Sequence, residues 1–174
     1  NGLGISLIQS NFYGIGSRIG VGNYGFFLHN RGCGFNLIKG HKNSLGPNKK
    51  PLHTLSPTIW SKDGSLDFIT GTRGGRYQPQ LLAQTILPYI LGESSFEDIM
   101  KKPRWTIEYF GSNTSSNIKF EFIKKSEISS LEDKGHTISI ENKLIGGYGP
   151  ISTIYKNSNE KFVGVPDVRV GTEK

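Results

Sequence analysis

Apolar positions fall into short runs separated by turn residues, and few runs are long enough for a helix. Residues 3–10 alternate loosely and predict a buried strand, and residues 24–29 predict a second. Residues 11–22 and 30–50 are dominated by Gly, Ser, Asn and Pro and read as long loops, of a length uncommon in compact domains unless functional or disordered. Residues 51–60 and 65–70 predict strands joined through Lys62-Asp63-Gly64, a hairpin signal, and residues 70–80 are turn-rich. A helix is expected to open at Pro79, to carry Leu81, Leu82 and Ile86, and to close at Gly92. Pro88 inside it predicts a kink or an early stop. Ser94 or Ser95 is suited to cap a short helix with Phe96, Ile99 and Met100, acidic Glu97 and Asp98 in its first turn, and Pro103 beyond its end. A strand at 118–123, a helix at 126–134 stopped by Gly135, and strands at 136–140, 152–155 and 162–165 complete the pattern. Strands, then helices, then strands favour a layered α+β sandwich over a doubly wound parallel sheet.

Composition narrows the class. A chain of 174 residues, 34% hydrophobic and 20% charged, has room for one domain or one lobe of a larger one. Its 23 glycines follow no triplet, which excludes collagen and points to a turn-rich fold. No run of apolar residues is long enough to span a membrane as a helix. The single cysteine, Cys33, makes no internal disulfide and no cysteine metal cage. His29, His41, His53 and His136 form no i, i+4 pair, Gly14-Ile15-Gly16 opens no dinucleotide fingerprint, and neither a phosphate-loop lysine nor a G-x-S-x-G elbow is present. No cofactor or metal is therefore expected. The net charge of +7 reads as a solvated basic surface, because Lys39, Lys42, Lys49, Lys50, Lys101, Lys102, Lys124 and Lys125 share no expected face. A basic binding module for an anionic partner is the alternative, although the aromatics show no RNA-binding pattern and nucleic acid is not expected. The chain opens without Met and shows no signal-peptide pattern, so it is expected to be a processed chain or a fragment, and its compartment stays open.

Three segments gather polar chemistry among apolar neighbours: Gln9-Ser10-Asn11, then Pro51-Leu52-His53-Thr54-Leu55-Ser56-Pro57, then Thr70-Gly71-Thr72-Arg73-Gly74-Gly75-Arg76. Consecutive glycines at a strand end let two backbone N–H groups converge on one point, the geometry of an oxyanion hole or anion nest. Each segment taken alone also reads as a turn.

In this order, the segments resemble the small subunit of the gamma-glutamyltransferase family (gamma-glutamyl transpeptidases, glutathione hydrolases), and its acylase-like or YwrD-like branch in particular. The resemblance is carried by Ser6–Asn11, by Gly25–Gly32, by Gly46-Pro47-Asn48-Lys49-Lys50-Pro51 running on to Pro57, by Gly71–Gly75, by Lys102-Pro103-Arg104-Trp105 and by Asp167-Val168-Arg169. It implies the four-layer αββα sandwich of N-terminal-nucleophile hydrolases. Residues 1–174 would form a single region, the small-subunit part, partnered by a large subunit from the same precursor. The nucleophilic threonine would lie upstream of Asn1, so this chain alone would be inactive. The threonine hydroxyl, helped by its own α-amine, would attack a gamma-glutamyl amide of the glutathione type, and water or an amino acid would take up the acyl group. Gly74 and Gly75 match the family's oxyanion pair. Gln9, Asn11, Asn30, Arg31, His53 and Thr54 fall at substrate-binding positions, with His53 and Thr54 where transpeptidases carry two serines. Gly34 stands where a glutamyl-binding aspartate is expected, and Arg31 brings the opposite sign. That departure opens a second reading, an acylase for glutaryl-type amides.

Overall fold

A computed structural model of the chain describes residues 3–108 and 117–169. These fall into two compact units: unit 1 is Asn1–Leu7 with Ser56–Lys174, and unit 2 is Ile8–Leu55.

Unit 1 holds all the regular elements. Strands β1 (Thr58–Lys62) and β2 (Ser65–Thr72) form the expected hairpin. Its two central residues, Asp63 at φ 51° and Gly64 at φ 76°, are both left-handed, as the twist-matched two-residue hairpin turn requires. The chain continues through α1 (Gln78–Ile90), α2 (Phe96–Ile99), β3 (Trp105–Glu108), β4 (Asn117–Phe120), α3 (Lys125–Glu132), β5 (Thr137–Ile140), β6 (Ile151–Lys156) and β7 (Phe162–Val165). One sheet is antiparallel in the order β1-β2-β6-β7; the other runs β3-β4-β5, with β4 and β5 parallel and α3 as their crossover. The segregated, mainly antiparallel arrangement is the expected α+β class.

The core follows from the two-residue period of the strands. Phe68, Thr70 and Thr72 of β2, Ile151 and Thr153 of β6 and Val165 of β7 are buried on one face of the four-stranded sheet. Leu81, Leu82 and Ile86 of α1, with Phe96, Ile99 and Met100, complete that core. Phe68 stacks on Trp60 at 5.4 Å and meets Tyr89 and Phe96 edge-on, each at 5.2 Å. Each such buried side chain contributes about 1.5–3 kcal/mol. Pro88 falls in the last turn of α1, where the N–H it lacks removes a single bond, so the helix continues to Ile90 rather than stopping early. Ser95 is the N-cap of α2 and accepts from the Asp98 N–H at 3.2 Å.

Strand β3 was not expected from the pattern. Its outer edge is closed by side chains of α1 rather than by another strand. Gln84 donates to the Trp105 carbonyl at 2.8 Å and accepts from its N–H at 3.1 Å, while Gln80 accepts from the Ile107 N–H at 2.8 Å. Residues one helical turn apart thus match alternate residues of a strand. Gln84→Leu is expected to orphan both Trp105 backbone groups and to lower stability by about 1–3 kcal/mol, read as a fall in Tm.

Two expected strands are absent. Residues 3–10 are irregular, with Leu3, Ile5 and Leu7 exposed at 84%, 72% and 83%. Residues 24–29 form no strand, and only Phe27 makes an isolated bridge, to Gly20. Residues 51–57 also stay outside β1. The alternation was there, but no described residues offer these segments a ladder, and a strand without a partner is not stable. Unit 2 is built of turns instead, with short 3-10 turns at Gly22–Tyr24 and Arg31–Gly34.

Candidate active site

The glycine pair leaves the end of β2 and enters the first turn of α1. Gly74 lies at φ 123°, ψ 11° and Gly75 at φ 56°. Only glycine adopts the first readily, and a β-carbon there would stand 3.0 Å from Leu81 Cδ1 and 3.4 Å from the Gly147 carbonyl. The carbonyls of the turn are engaged: Gly74 accepts from the Tyr77 N–H at 3.0 Å, and Gly75 from the Gln78 N–H. Among the described residues, no acceptor takes the N–H of Gly74 or of Gly75. Two successive donors are therefore left unengaged at a left-handed turn, as an anion nest requires.

The turn is braced from behind by residues 145–151. Arg73 Nε donates to the Gly149 carbonyl at 2.9 Å, and the Thr72 hydroxyl reaches the Pro150 carbonyl at 3.2 Å. That segment is in turn fixed by four buried charges. Arg104 donates to the Tyr148 carbonyl at 2.6 Å and to Asp167 at 2.5 Å. Asp167 accepts from the Ile151 N–H at 2.8 Å, and Glu121 accepts from the Ile145 N–H at 2.7 Å. Arg169 bridges Asp167 at 3.2 Å and also pairs with Glu121. Burial pushes the Asp167 carboxyl up, but the Ile151 N–H, the Arg104 charge and the Arg169 N–H outweigh it and hold the group below the usual carboxylate range. Burial and the neighbouring Arg169 charge lower Arg104, against the pull of Asp167. Two of the stretches that carried the resemblance, around Arg104 and Asp167, thus meet in one ion network that positions the loop behind the glycines.

The six substrate-binding candidates lie in unit 2, and the glycine pair lies in unit 1. Gln9 and His53 are exposed, and Asn11 and Thr54 half-buried. Asn30 is engaged in local structure: its amide accepts from the Tyr13 N–H at 2.9 Å and donates to the Gly16 carbonyl at 3.1 Å, pinning the 13–16 turn. Arg31 is 9% exposed. Its guanidinium reaches the Thr54 hydroxyl at 3.4 Å and the Ser10 carbonyl at 3.3 Å, and lies 5.0 Å from the Phe12 ring centroid. A side chain at Gly34 would press on the Leu52 carbonyl at 3.2 Å and on Pro51 at 3.3 Å. A β-carbon at Gly34 would thus be tight, and Leu52 or Pro51 would have to give by a few tenths of an ångström. Among the described residues, no three His, Cys, Asp or Glu are grouped to hold a metal, and no helix is long and apolar enough to cross a membrane.

The sequence reading missed two features. The ion network joins residues far apart in the chain, and no local pattern announces it. The charge distribution, by contrast, was countable: residues 1–62 hold seven Lys and Arg and no Asp or Glu, so the whole net charge of +7 lies there.

The chain superposes on a mutant gamma-glutamyltranspeptidase from Pseudomonas nitroreducens with a TM-score of 0.79 at 19% identity, covering 99% of this chain and 92% of that one. The chain therefore has the fold of the gamma-glutamyltranspeptidases. The gamma-glutamyltranspeptidase family model matches residues 1–174, and the chain belongs to that family. It is 29% identical over 170 residues to the oxamate amidohydrolase proenzyme of Klebsiella pneumoniae, covering 97% of this chain and 32% of that protein. It is 31% identical over 157 residues to the glutathione hydrolase-like YwrD proenzyme of Bacillus subtilis, covering 87% of this chain and 28% of that protein. The chain thus spans about a third, or less, of the curated relatives it matches.

Proposed function

We propose that this chain is the small-subunit part of an N-terminal-nucleophile amidohydrolase that cleaves gamma-glutamyl-type amides through an acyl-enzyme. The nucleophile is an upstream threonine freed by self-cleavage of a precursor, whose other half is the large-subunit partner. Its hydroxyl oxygen attacks the amide carbon while its α-amine takes the proton, an amine whose ordinary pKa of about 7.7–8.0 leaves it partly neutral at working pH. The N–H groups of Gly74 and Gly75 donate to the oxygen that becomes negative. The C–N bond breaks as the proton passes to the leaving amine. Water or an amino acid then releases the acyl group by the same steps. Gln9, Asn11, His53 and Thr54 stand at the positions the resemblance assigns to substrate binding.

The observation that carries this reading is the unengaged pair of N–H groups at Gly74 and Gly75. Two further facts support it. Both curated relatives are proenzymes far longer than this chain, while the solved Pseudomonas chain is of nearly its length. The full-length precursor is expected to cut itself into two chains and then to release p-nitroaniline from gamma-glutamyl-p-nitroanilide. A precursor that stays intact and inactive, under conditions that mature its relatives, contradicts the proposal. The glutaryl-acylase reading shares every step and differs in the charge at the far end of the acyl group. Oxamate, named in one relative, is likewise an amide with a carboxylate and no ammonium.

A further inference from the structure

Tyr148 stands in the middle of the loop that backs the glycine turn, and it is 4% exposed. Both of its chain neighbours touch that turn. The Gly147 carbonyl is the backbone that a β-carbon on Gly74 would meet at 3.4 Å, and the Gly149 carbonyl takes the Arg73 Nε–H. The Tyr148 ring meets the Tyr77 ring edge-on at 6.4 Å, and the Tyr77 N–H closes the turn on the Gly74 carbonyl. The Tyr148 hydroxyl reaches the three-stranded sheet. It accepts from the Thr106 hydroxyl at 2.8 Å and donates to the Lys119 carbonyl at 3.4 Å, and Thr106 and Lys119 are register partners on β3 and β4. Thr106 is fully buried. Burial pushes the Tyr148 phenol above its ordinary pKa, so it bonds as a neutral group at working pH. All of these residues belong to unit 1.

A buried hydroxyl pair adds little stability of its own. Phenylalanine and valine of nearly the same shape fill such a site about as well, because removing both polar partners together strands neither. What the pair adds is a fixed distance between two elements, since a satisfied buried polar contact admits one arrangement where apolar packing admits several. We infer that Tyr148 is a positioning residue for amide hydrolysis: its hydroxyl, held by Thr106, ties the loop behind Gly74 and Gly75 to β3 and so sets the direction of the two N–H donors. The inference rests on the amidohydrolase reading above. The ion network around Asp167 fixes the same loop by its backbone, and the Tyr148 hydroxyl adds a side-chain link from the loop's centre to the sheet. A donor misdirected by a fraction of an ångström weakens a contact that only the transition state makes, so the effect falls on kcat.

The test is a double-mutant cycle in the matured full-length protein, with kcat taken per cut chain on gamma-glutamyl- or glutaryl-p-nitroanilide, whichever the wild type cleaves faster. Tyr148→Phe strands the buried Thr106 hydroxyl and is expected to lower Tm by about 2–12 °C. Adding Thr106→Val removes the stranded group, and Tm is expected to return to within about 2 °C of wild type. In both variants kcat is expected to stay about 5- to 50-fold down, with KM within about twofold of wild type. A merely structural role does not separate kcat from Tm in this way. A double variant whose kcat recovers together with its Tm overturns the inference while leaving the amidohydrolase reading intact. Hydrogen exchange read by mass spectrometry decides where Tm does not recover, and also where the wild type cleaves neither anilide and the amidohydrolase reading fails by itself. The Tyr77 and Gln78 amides donate to the Gly74 and Gly75 carbonyls. They are expected to lose protection by about tenfold in the double variant while the amides of β2 and β6 keep theirs. Protection unchanged at Tyr77 and Gln78, or lost evenly across unit 1, overturns the inference.

Discussion

Gly74→Ala is expected to lower kcat for amide hydrolysis by about 10²–10³-fold with little change in KM, since an oxyanion donor acts only on the charge that develops in the transition state. The substitution keeps the N–H and moves it. At φ 123° a β-carbon is strained, and here it would also stand 3.0 Å from Leu81 and 3.4 Å from the Gly147 carbonyl. The backbone must rotate, and the donor swings off its target. Gly75→Ala is the internal control. Its φ of 56° lies in the left-handed region that other residues enter at a cost of about 1–2 kcal/mol, and no atom stands within 4 Å of the added carbon. Its effect on kcat is therefore expected to be smaller than that of Gly74→Ala. Steady-state kinetics of the mature two-chain protein, with Tm as a check on folding, reads both. Equal and minor effects would remove the glycine turn from the chemistry.

Asp167→Asn is expected to lower stability by about 3–5 kcal/mol, because it leaves Arg104 and Arg169 buried without their shared counter-charge. For a chain of this size that is a drop in Tm of roughly 6–20 °C, at about 2–4 °C per kcal/mol. The pH dependence has a definite sign. The Asp167 carboxyl is held below its unfolded value, so its contribution is complete above the unfolded pKa of about 3.9 and is lost as pH falls through the lower folded value. Wild-type protein should thus lose this part of its stability only below about pH 4, while Asp167→Asn lacks it at every pH. Thermal melts of the precursor across pH 2–8 give the comparison. Because the network fixes the carbonyl of Tyr148 and the N–H of Ile151, either side of the loop that braces the glycines, activity should fall by more than unfolding alone explains.

How much of this was legible depended on whether the determinant was local. The Asp63-Gly64 turn, the Ser95 cap, Pro79 at the start of α1 and Gly135 after α3 are short-range chemistry, and the elements they mark form where the pattern put them. The apolar alternation of residues 3–10 was equally clear, but a strand also needs a neighbour, and pattern alone says nothing of one. Strand β3 was hidden for the opposite reason: its edge is satisfied by Gln80 and Gln84 of a helix, a pairing no period reveals. The glycine pair was visible as composition, whereas its unengaged N–H groups are a fact of the folded turn. Arg31 stood in the sequence as a cation three residues before the glycine that replaces an acid, but its burial beside Thr54 came only with three dimensions. The concentration of charge in the first 62 residues could have been counted, and was obscured by asking only whether lysines shared one face.

Two backbone donors meeting one oxygen carry the proposed chemistry. A crystal structure of the mature two-chain protein, with a boronic-acid analogue of the acyl group bound as a tetrahedral adduct, measures this directly. The nitrogens of Gly74 and Gly75 are expected about 2.7–3.1 Å from a single boronate oxygen. An adduct whose oxygens are all held by other donors, with both glycine N–H groups turned to carbonyls of the protein, would contradict the account.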